Sequence, residues 1–560
     1  MKKIWFSLFV LLLSCGYIKS TYAEVIWVGN SAACDTESLA VDSLDNALIR
    51  AFFNSDANDE IRLTNAGTDY RGGNGRYTMS GYSGLIINGG YSDCGVLTSG
   101  RVIIGYATGS VFTLNNSFVT FKNITLRQSG ARALVVDNGS IVTLDNVMID
   151  NNQSGIEVKG GAFVDIKANS VIQFNNDANT AKGGGIYCHG NSSGVQMGGQ
   201  VDGNSAVSGG NVFAETGCFF GLTENSFITN GTASDSGGGV FIDNGGELLA
   251  AGGAQRVTIQ GNIATDHNGG GIFVWGTGRV TLNNTFLDNN TAGAHGAAIF
   301  AANGGNSVTQ LRMDRVDACP SLMSCSEIQG HDFNHSLVYA YNSNVDINRT
   351  IVELNHFVGT YDFITALFLS TQNARIRLNR VALIRNETQA LLYSDGYEGI
   401  IDGTIEATHI TVAKNQYQVP GSSVRESLAW VNQGFFSIQN SIIVNTSGSF
   451  GDGVFDMGNC NLIDNNLGWP PGTYSIGTPQ FINIDGGDMR QVGGSLGVDM
   501  CLQDSFSWST EKDLENQIAP VNEKTNPQGS PGQAGGLYDA GVDEVYDNIV
   551  DDLIFANGFE

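Results

Sequence analysis

Val119-Thr120-Phe121-Lys122-Asn123, Val142-Thr143-Leu144-Asp145-Asn146 and Val164-Asp165-Ile166-Lys167-Ala168-Asn169 write one short phrase three times, with the valines 23 and 22 residues apart. Each phrase alternates apolar and polar side chains and reaches an Asn. The first two then lead into a second alternating run, Ile124-Thr125-Leu126 and Val147-Met148-Ile149. Period-two alternation marks a half-buried strand, and Asn tolerates the left-handed backbone of a sharp bend. A repeat of about 22 residues is too short for a domain but long enough for one turn of a wide coil with three strands and three bends. Such turns must stack, placing successive strands about 4.8 Å apart in parallel sheets and making each coil depend on its neighbours for burial. The expected fold is all-β, a single-stranded right-handed parallel β-helix. Asn side chains at one height can then hydrogen-bond along the stack. The alternative is a flat all-β sandwich with Asn-rich turns.

Composition agrees with many tight bends and few linkers. Of 560 residues 74 are Gly and 8 are Pro. Charged residues make up 15% and the net charge is −27, which argues against a nucleic-acid partner.

Residues 1–23 have the layout of a signal peptide: Lys2 and Lys3, an apolar run from Ile4 to Leu13, and Thr21-Tyr22-Ala23 before Glu24. That run is too short to span a bilayer, so no transmembrane segment is expected. Leu12-Leu13-Ser14-Cys15 resembles a bacterial lipobox and offers a lipoprotein anchored at Cys15 as the alternative. Cleavage after Ala23 is better placed, because Val25-Ile26-Trp27-Val28 already looks like a strand. It removes Cys15 and leaves eight Cys, an even number that favours disulfides in an exported chain. Eight thiols allow 105 pairings; the segment plan suggests Cys34 with Cys94, Cys188 with Cys218, Cys319 with Cys325 and Cys460 with Cys501.

Residues 24–100 lack the repeat and carry a helix signal, Ser43 as N-cap with Leu44, Ala47, Leu48, Ala51 and Phe52 on one face. An N-terminal cap containing this helix would cover the exposed end of the stack, with Leu85-Ile86-Ile87 and Val102-Ile103-Ile104 as its first regular strands. The β-helix is expected over 101–447.

From about 171 to 300 an apolar residue stands three before an Asn at Ile172/Asn175, Val201/Asn204, Phe227/Asn230, Ile259/Asn262 and Phe286/Asn289. A small-residue cluster then opens a strand: Gly183-Gly184-Gly185-Ile186, Gly209-Gly210-Asn211-Val212, Gly237-Gly238-Gly239-Val240, Gly269-Gly270-Gly271-Ile272 and Gly296-Ala297-Ala298-Ile299. This paired phrase resembles the repeats of the polymorphic outer-membrane protein family of bacterial surface proteins. The resemblance covers roughly 130 residues and implies a passenger-type β-helix at a cell surface. It departs from that family in leaving no room for a C-terminal membrane barrel. Residues 301–335, with Cys319-Pro320 and Cys325, break the rhythm as a protruding loop. Coils resume with Asn at 355, 386, 415 and 445.

Residues 448–545 are expected to cap the C-terminal end. Asn440 to Asn445, Thr478-Pro479-Gln480-Phe481 and the run from Ser530-Pro531 to Asp539-Ala540-Gly541 resemble the end module of many secreted bacterial β-helix proteins. The acidic-apolar tail, 546–560, ends in Leu553 to Glu560; it resembles short tails of some exported proteins, with sorting or a plain disordered terminus as its two roles.

Parallel β-helices of the pectate-lyase-like superfold either act on polysaccharides in a groove or present a binding surface, so the fold does not choose between them. Uronan hydrolases of this fold usually show Asn-Thr-Asp, Asp-Asp, Gly-His-Gly and Arg-Ile-Lys in order. Here the only Asp-Asp is Asp551-Asp552, and Arg375-Ile376-Arg377 is the nearest match to the last string. The best constellation, Asp235, Asp266, His267 and His295, precedes successive Gly clusters and has proton-transfer chemistry, but Asp, His and Asn before Gly are also ordinary bend residues. No catalytic, cofactor-binding or metal residues are assigned. Acidic bends leave a structural calcium ion open, although no loop has regular Asp spacing. Phe241, Phe273, Trp275 and Phe300 form either a core stack, which is preferred, or a strip on which sugars stack. The expected function is a secreted or surface-exposed monomer, outer-membrane associated in one version, with an adhesin-like binding or structural role toward a glycan or cell-surface ligand. The alternative is a polysaccharide lyase or glycoside hydrolase.

Overall fold

The computed structural model describes residues 24–28, 40–41, 43–54, 59–64, 70, 77–93, 96–98, 100–105, 108–176, 182–303, 309–314, 326–358, 365–396, 403–417, 427–444, 449–450, 453–458, 460–464, 469, 474–483, 488–491, 496, 501–502 and 537–538. The chain divides into two units, Met1–Asn176 with Gly190–Gly199, and Asp177–His189 with Gln200–Glu560. Each is built of stacked parallel strands, and the fold is the all-β right-handed parallel β-helix expected from the repeat.

In the first unit the three phrases lie in register. Val142 pairs with Val119 on one side and Val164 on the other, and Leu144 with Phe121 and Ile166. These six side chains point inward and none is more than 3% exposed, while Thr120, Thr143 and Asp165 alternate to the outside. Asn123 and Asn146 take φ of 53° and 54° at the bends. Asn146 Nδ2 donates to Asn123 Oδ1 at 2.7 Å, and Asn123 Nδ2 to Asn88 Oδ1 at 2.9 Å. Asn169 does not join them: the extra Ala168 shifts it into an exposed turn.

Parallel pairing begins earlier than Leu85. Val25–Val28 pairs with Glu60–Thr64, which pairs with Ser83–Asp93. The helix runs from Leu44 to Asn54, capped where Ser43 Oγ accepts the Asn46 N–H at 3.2 Å. Leu44, Ala47, Leu48 and Ala51 are buried as expected, whereas Phe52 lies at the margin of that face, 47% exposed, its ring edge-on to Tyr82.

In the second unit Ile186, Val212, Val240, Ile272 and Ile299 share one register directly after the small-residue clusters. A Cβ on Gly239 would lie 2.6 Å from the Gly271 carbonyl oxygen, and one on Gly271 2.7 Å from that of Ala298. Close approach of neighbouring coils therefore selects glycine at these two positions.

Behind the bends runs a buried polar ladder. Asn204 Nδ2 donates to Asn211 Oδ1, Asn211 Nδ2 to Asn262 Oδ1, and Asn262 Nδ2 to Asn290 Oδ1, all at 2.9–3.0 Å. His331 continues it with Nε2 3.2 Å from Asn290 Nδ2 and Nδ1 3.1 Å from Asn355 Oδ1. Asn355 then bonds Asn386, and Asn386 bonds Asn415. The five Asn grouped by the repeat are not equivalent. Asn230 and Asn289, at φ 54° and 47°, are exposed bend residues, and the inward positions behind them belong to Gly231 and Asn290. A Cβ on Gly231 would sit 2.5 Å from Asn211 Nδ2. The missing side chain is the space through which Asn211, borrowed from the preceding small-residue cluster, bridges the gap.

Cys188 and Cys218 form the expected disulfide, with Cα atoms 5.9 Å apart, and Cys460 is also disulfide-bonded. Cys34, Cys94, Cys319 and Cys325, together with residues 1–23 and 546–560, lie outside the described residues. From the C-terminal region, Phe481 packs on the outer apolar cluster of Ile351, Ala382, Ile384 and Ala413.

Candidate functional site

The bend constellation comes together only in part. His267 Nδ1 lies 2.8 Å from Asp235 Oδ1, on side chains 62% and 44% exposed. Ser208 Oγ donates to Asp235 Oδ2. Asp266 points into solvent. His295 turns away and stacks between His335 and Tyr339, with ring centroids 5.0 and 4.6 Å away. Burial, and then the adjacent His335, push its pKa down to about 4. The four residues therefore do not converge on one reacting point.

Phe241, Phe273 and Phe300 form the expected buried stack, but on the outer face of the sheet and not inside the coil. Val240 and Ile242 point inward and Phe241 between them points outward; Ile272, Phe273 and Val274 repeat the arrangement. Register aligns Tyr187, Phe213, Phe241, Phe273, Phe300 and Tyr339 in one outer column. From Phe213 to Tyr339 the centroids are 4.4–4.9 Å apart. The rings cover one another's faces, which leaves Phe273 and Phe300 only 6% exposed. A sugar stacks on an open ring face, and a closed column offers it edges.

Trp275 is different. It lies in the next outer column, opposite Ala302, is 37% exposed and runs nearly parallel to Phe273 at 6.2 Å. One, two and three coils before it, the register places Asp243, Glu215 and His189. Lys182 Nζ donates to Glu215 Oε2 at 2.7 Å, and the Tyr187 hydroxyl to Glu215 Oε1 at 2.5 Å. Burial would raise the Glu215 carboxyl, but these two bonds and the charges of Lys182 and His189 outweigh it and hold the carboxyl below its ordinary range. Burial and the Glu215 charge instead hold Asp243 above its range, against a bond from the Asn244 N–H. Two carboxyls on successive coils are thus pushed apart in acidity beside an open indole. Sequence reasoning missed Glu215, Asp243 and His189; their even spacing after each Gly cluster, two residues beyond the outward aromatic, was the available signal.

A second acidic group lies on another outer face. Glu327 and Glu353 are close enough for their charges to interact. Burial, followed by the Glu353 charge, pushes Glu327 up to about 8. Arg256 lies 3.6 Å from Glu327 and its guanidinium covers the Phe286 ring at 3.5 Å, while Arg385 pairs with Glu353. A carboxyl protonated when folded favours the folded state fully below the ordinary Glu value and loses that contribution as pH rises toward 8. Replacing Glu327 with Gln keeps a neutral donor. Melting curves at pH 5 and 8 are expected to show about 3 kcal/mol less loss of stability for Glu327→Gln than for the unaltered protein; equal losses would refute a Glu327 carboxyl protonated in the folded state.

Arg375 and Arg377, the nearest match to the uronan-hydrolase string, are structural. Arg377 sits between Asp346 at 3.1 Å and Glu406 at 3.5 Å, and Arg375 pairs with Glu406. Among the described residues no group of three His, Cys, Asp or Glu side chains is placed to hold a metal ion, and no helix is long and apolar enough to cross a membrane.

Fold and surface together define a solenoid of the right-handed parallel β-helix class. Residues 109–311 match the family model described as right handed beta helix region. No curated protein matches the chain significantly.

Proposed function

We propose that this is an exported, monomeric binding protein of the cell surface or extracellular space, and that it recognises a glycan on the outer face holding His189, Glu215, Asp243 and Trp275. The observation that carries this reading is the exposed Trp275 indole, in register with three polar side chains on a rigid sheet, the pairing of apolar face and hydrogen-bonding groups by which saccharides are held. The likeness of the Gly-cluster phrases to polymorphic outer-membrane repeats supports a surface location. So does the leader-like sequence of residues 1–23.

The opposite shifts of Glu215 and Asp243 favour a second reading, a carbohydrate-active enzyme, because acid–base chemistry uses two carboxyls of different acidity. A panel of neutral and acidic polysaccharides, scored for binding and for new chain ends, separates the two. Retained binding without turnover, weakened about tenfold by Trp275→Ala, is the expected result. Depolymerisation abolished by Glu215→Gln or Asp243→Asn would replace the binding reading with the enzymatic one.

A further inference from the structure

The residue that would become the amino terminus on cleavage after Ala23 is held in an unusual way. Glu24 N lies 2.8 Å from Asp59 Oδ1, and Asp59 is 2% exposed. The Glu24 carboxylate is gripped by Arg50 of the helix, with Nε at 3.1 Å, and its carbonyl accepts the Glu60 N–H at 2.8 Å. Asp59 is fixed in turn, because its carbonyl accepts the Ile86 N–H at 2.8 Å. The first strand, the helix and the next coil all meet at this one residue.

Before cleavage the Glu24 nitrogen is a peptide N–H, which gives a buried carboxylate a hydrogen bond but no charge. Hydrolysis of the Ala23–Glu24 bond takes up one water, leaves a carboxylate on Ala23 and frees an amine on Glu24, which is protonated near neutral pH. We propose that this new α-ammonium pairs with Asp59, so that removal of the leader adds a buried ionic contact and locks the amino-terminal end of the β-helix. A carboxylate taken out of water is costly unless positive charge meets it, and processing places a positive charge 2.8 Å from Asp59 Oδ1. The proposal rests on export with cleavage after Ala23. In the alternative route, with lipid on Cys15, the Glu24 nitrogen stays an amide and the pair never forms.

The exported full-length chain is tested first by N-terminal sequencing and intact mass, with Glu24 expected as residue one. Its α-amine is then labelled with an amine-reactive acyl ester, beside a chain carrying Gly-Ser inserted between Ala23 and Glu24 and beside Asp59→Asn. Labelling of the unaltered chain is expected to be roughly tenfold slower than that of the inserted chain, because one unit of raised amine pKa leaves a tenth of the free base. Asp59→Asn should restore the fast rate. If that variant fails to fold, the comparison with the inserted chain still decides. A mature chain starting at Glu24 with equal rates would overturn the lock and leave export standing, whereas a terminus at lipidated Cys15 would overturn both.

Discussion

Asn262→Ala is expected to cost about 3 kcal/mol or more, since each buried polar group left unpaired costs about 1–3 kcal/mol and a cavity adds to it. The Asn262 side chain accepts from Gly231 N at 2.9 Å and Asn211 Nδ2 at 3.0 Å, and donates to Ile228 O at 3.1 Å and Asn290 Oδ1 at 2.9 Å. Truncation strands the buried Gly231 N–H and removes an acceptor from Asn211 Nδ2. Asn230→Ala, at the exposed bend, should cost only about 1 kcal/mol, the strain of a left-handed alanine. Urea unfolding of the two variants checks the contrast, and equal losses would show that the ladder adds nothing beyond the bend.

On acidification from pH 7 to pH 5, each of two buried imidazoles, His331 and His409, should remove roughly 2 kcal/mol, against the stability that Glu327 regains over the same interval. Burial pushes His331 down to about 4, against bonds to Asn355 and the Gln329 carbonyl. Burial and the Arg380 charge push His409 down to about 3. Both folded values lie below that of a free imidazole, so the unfolded chain takes up protons first. The contribution is complete above about pH 6.5 and drains away as pH falls toward the folded values. In the ladder, Nδ1–H of His331 donates to Asn355 and Nε2 accepts from Asn290; a second proton would set two donors against each other. His331→Asn supplies the residue used on neighbouring rungs and should abolish the His331 share, roughly 2 kcal/mol. An unchanged pH profile in that variant would rule out His331 as its source.

The coil architecture was legible because side chains that alternate every two residues and recur every 22 or so leave one solution for burial. Val119, Val142 and Val164 therefore pair directly. The ladder was legible only in type. Asn serves both as the left-handed bend residue, as at Asn230 and Asn289, and as the inward rung beside it, as at Asn262 and Asn290. Spacing alone does not say which of two adjacent positions faces inward. Asn211 was hidden for a different reason: it replaces a glycine in one cluster and acts for another coil. The site was less legible still. Alternation places Phe241, Glu215 and Glu327 outside the coil, yet whether an outward residue is wet or covered depends on the stacked neighbour.

The ladder also bears on how such a chain can change over evolutionary time. Consecutive partners along it are 28, 41, 24, 31 and 29 residues apart, while the hydrogen bonds themselves stay nearly the same. Surplus length is spent in the bends and never reaches the register of the sheets. Insertions and deletions there can be sampled without renegotiating the interior, so the outer bends are free to diversify quickly while the inner rungs are held nearly still.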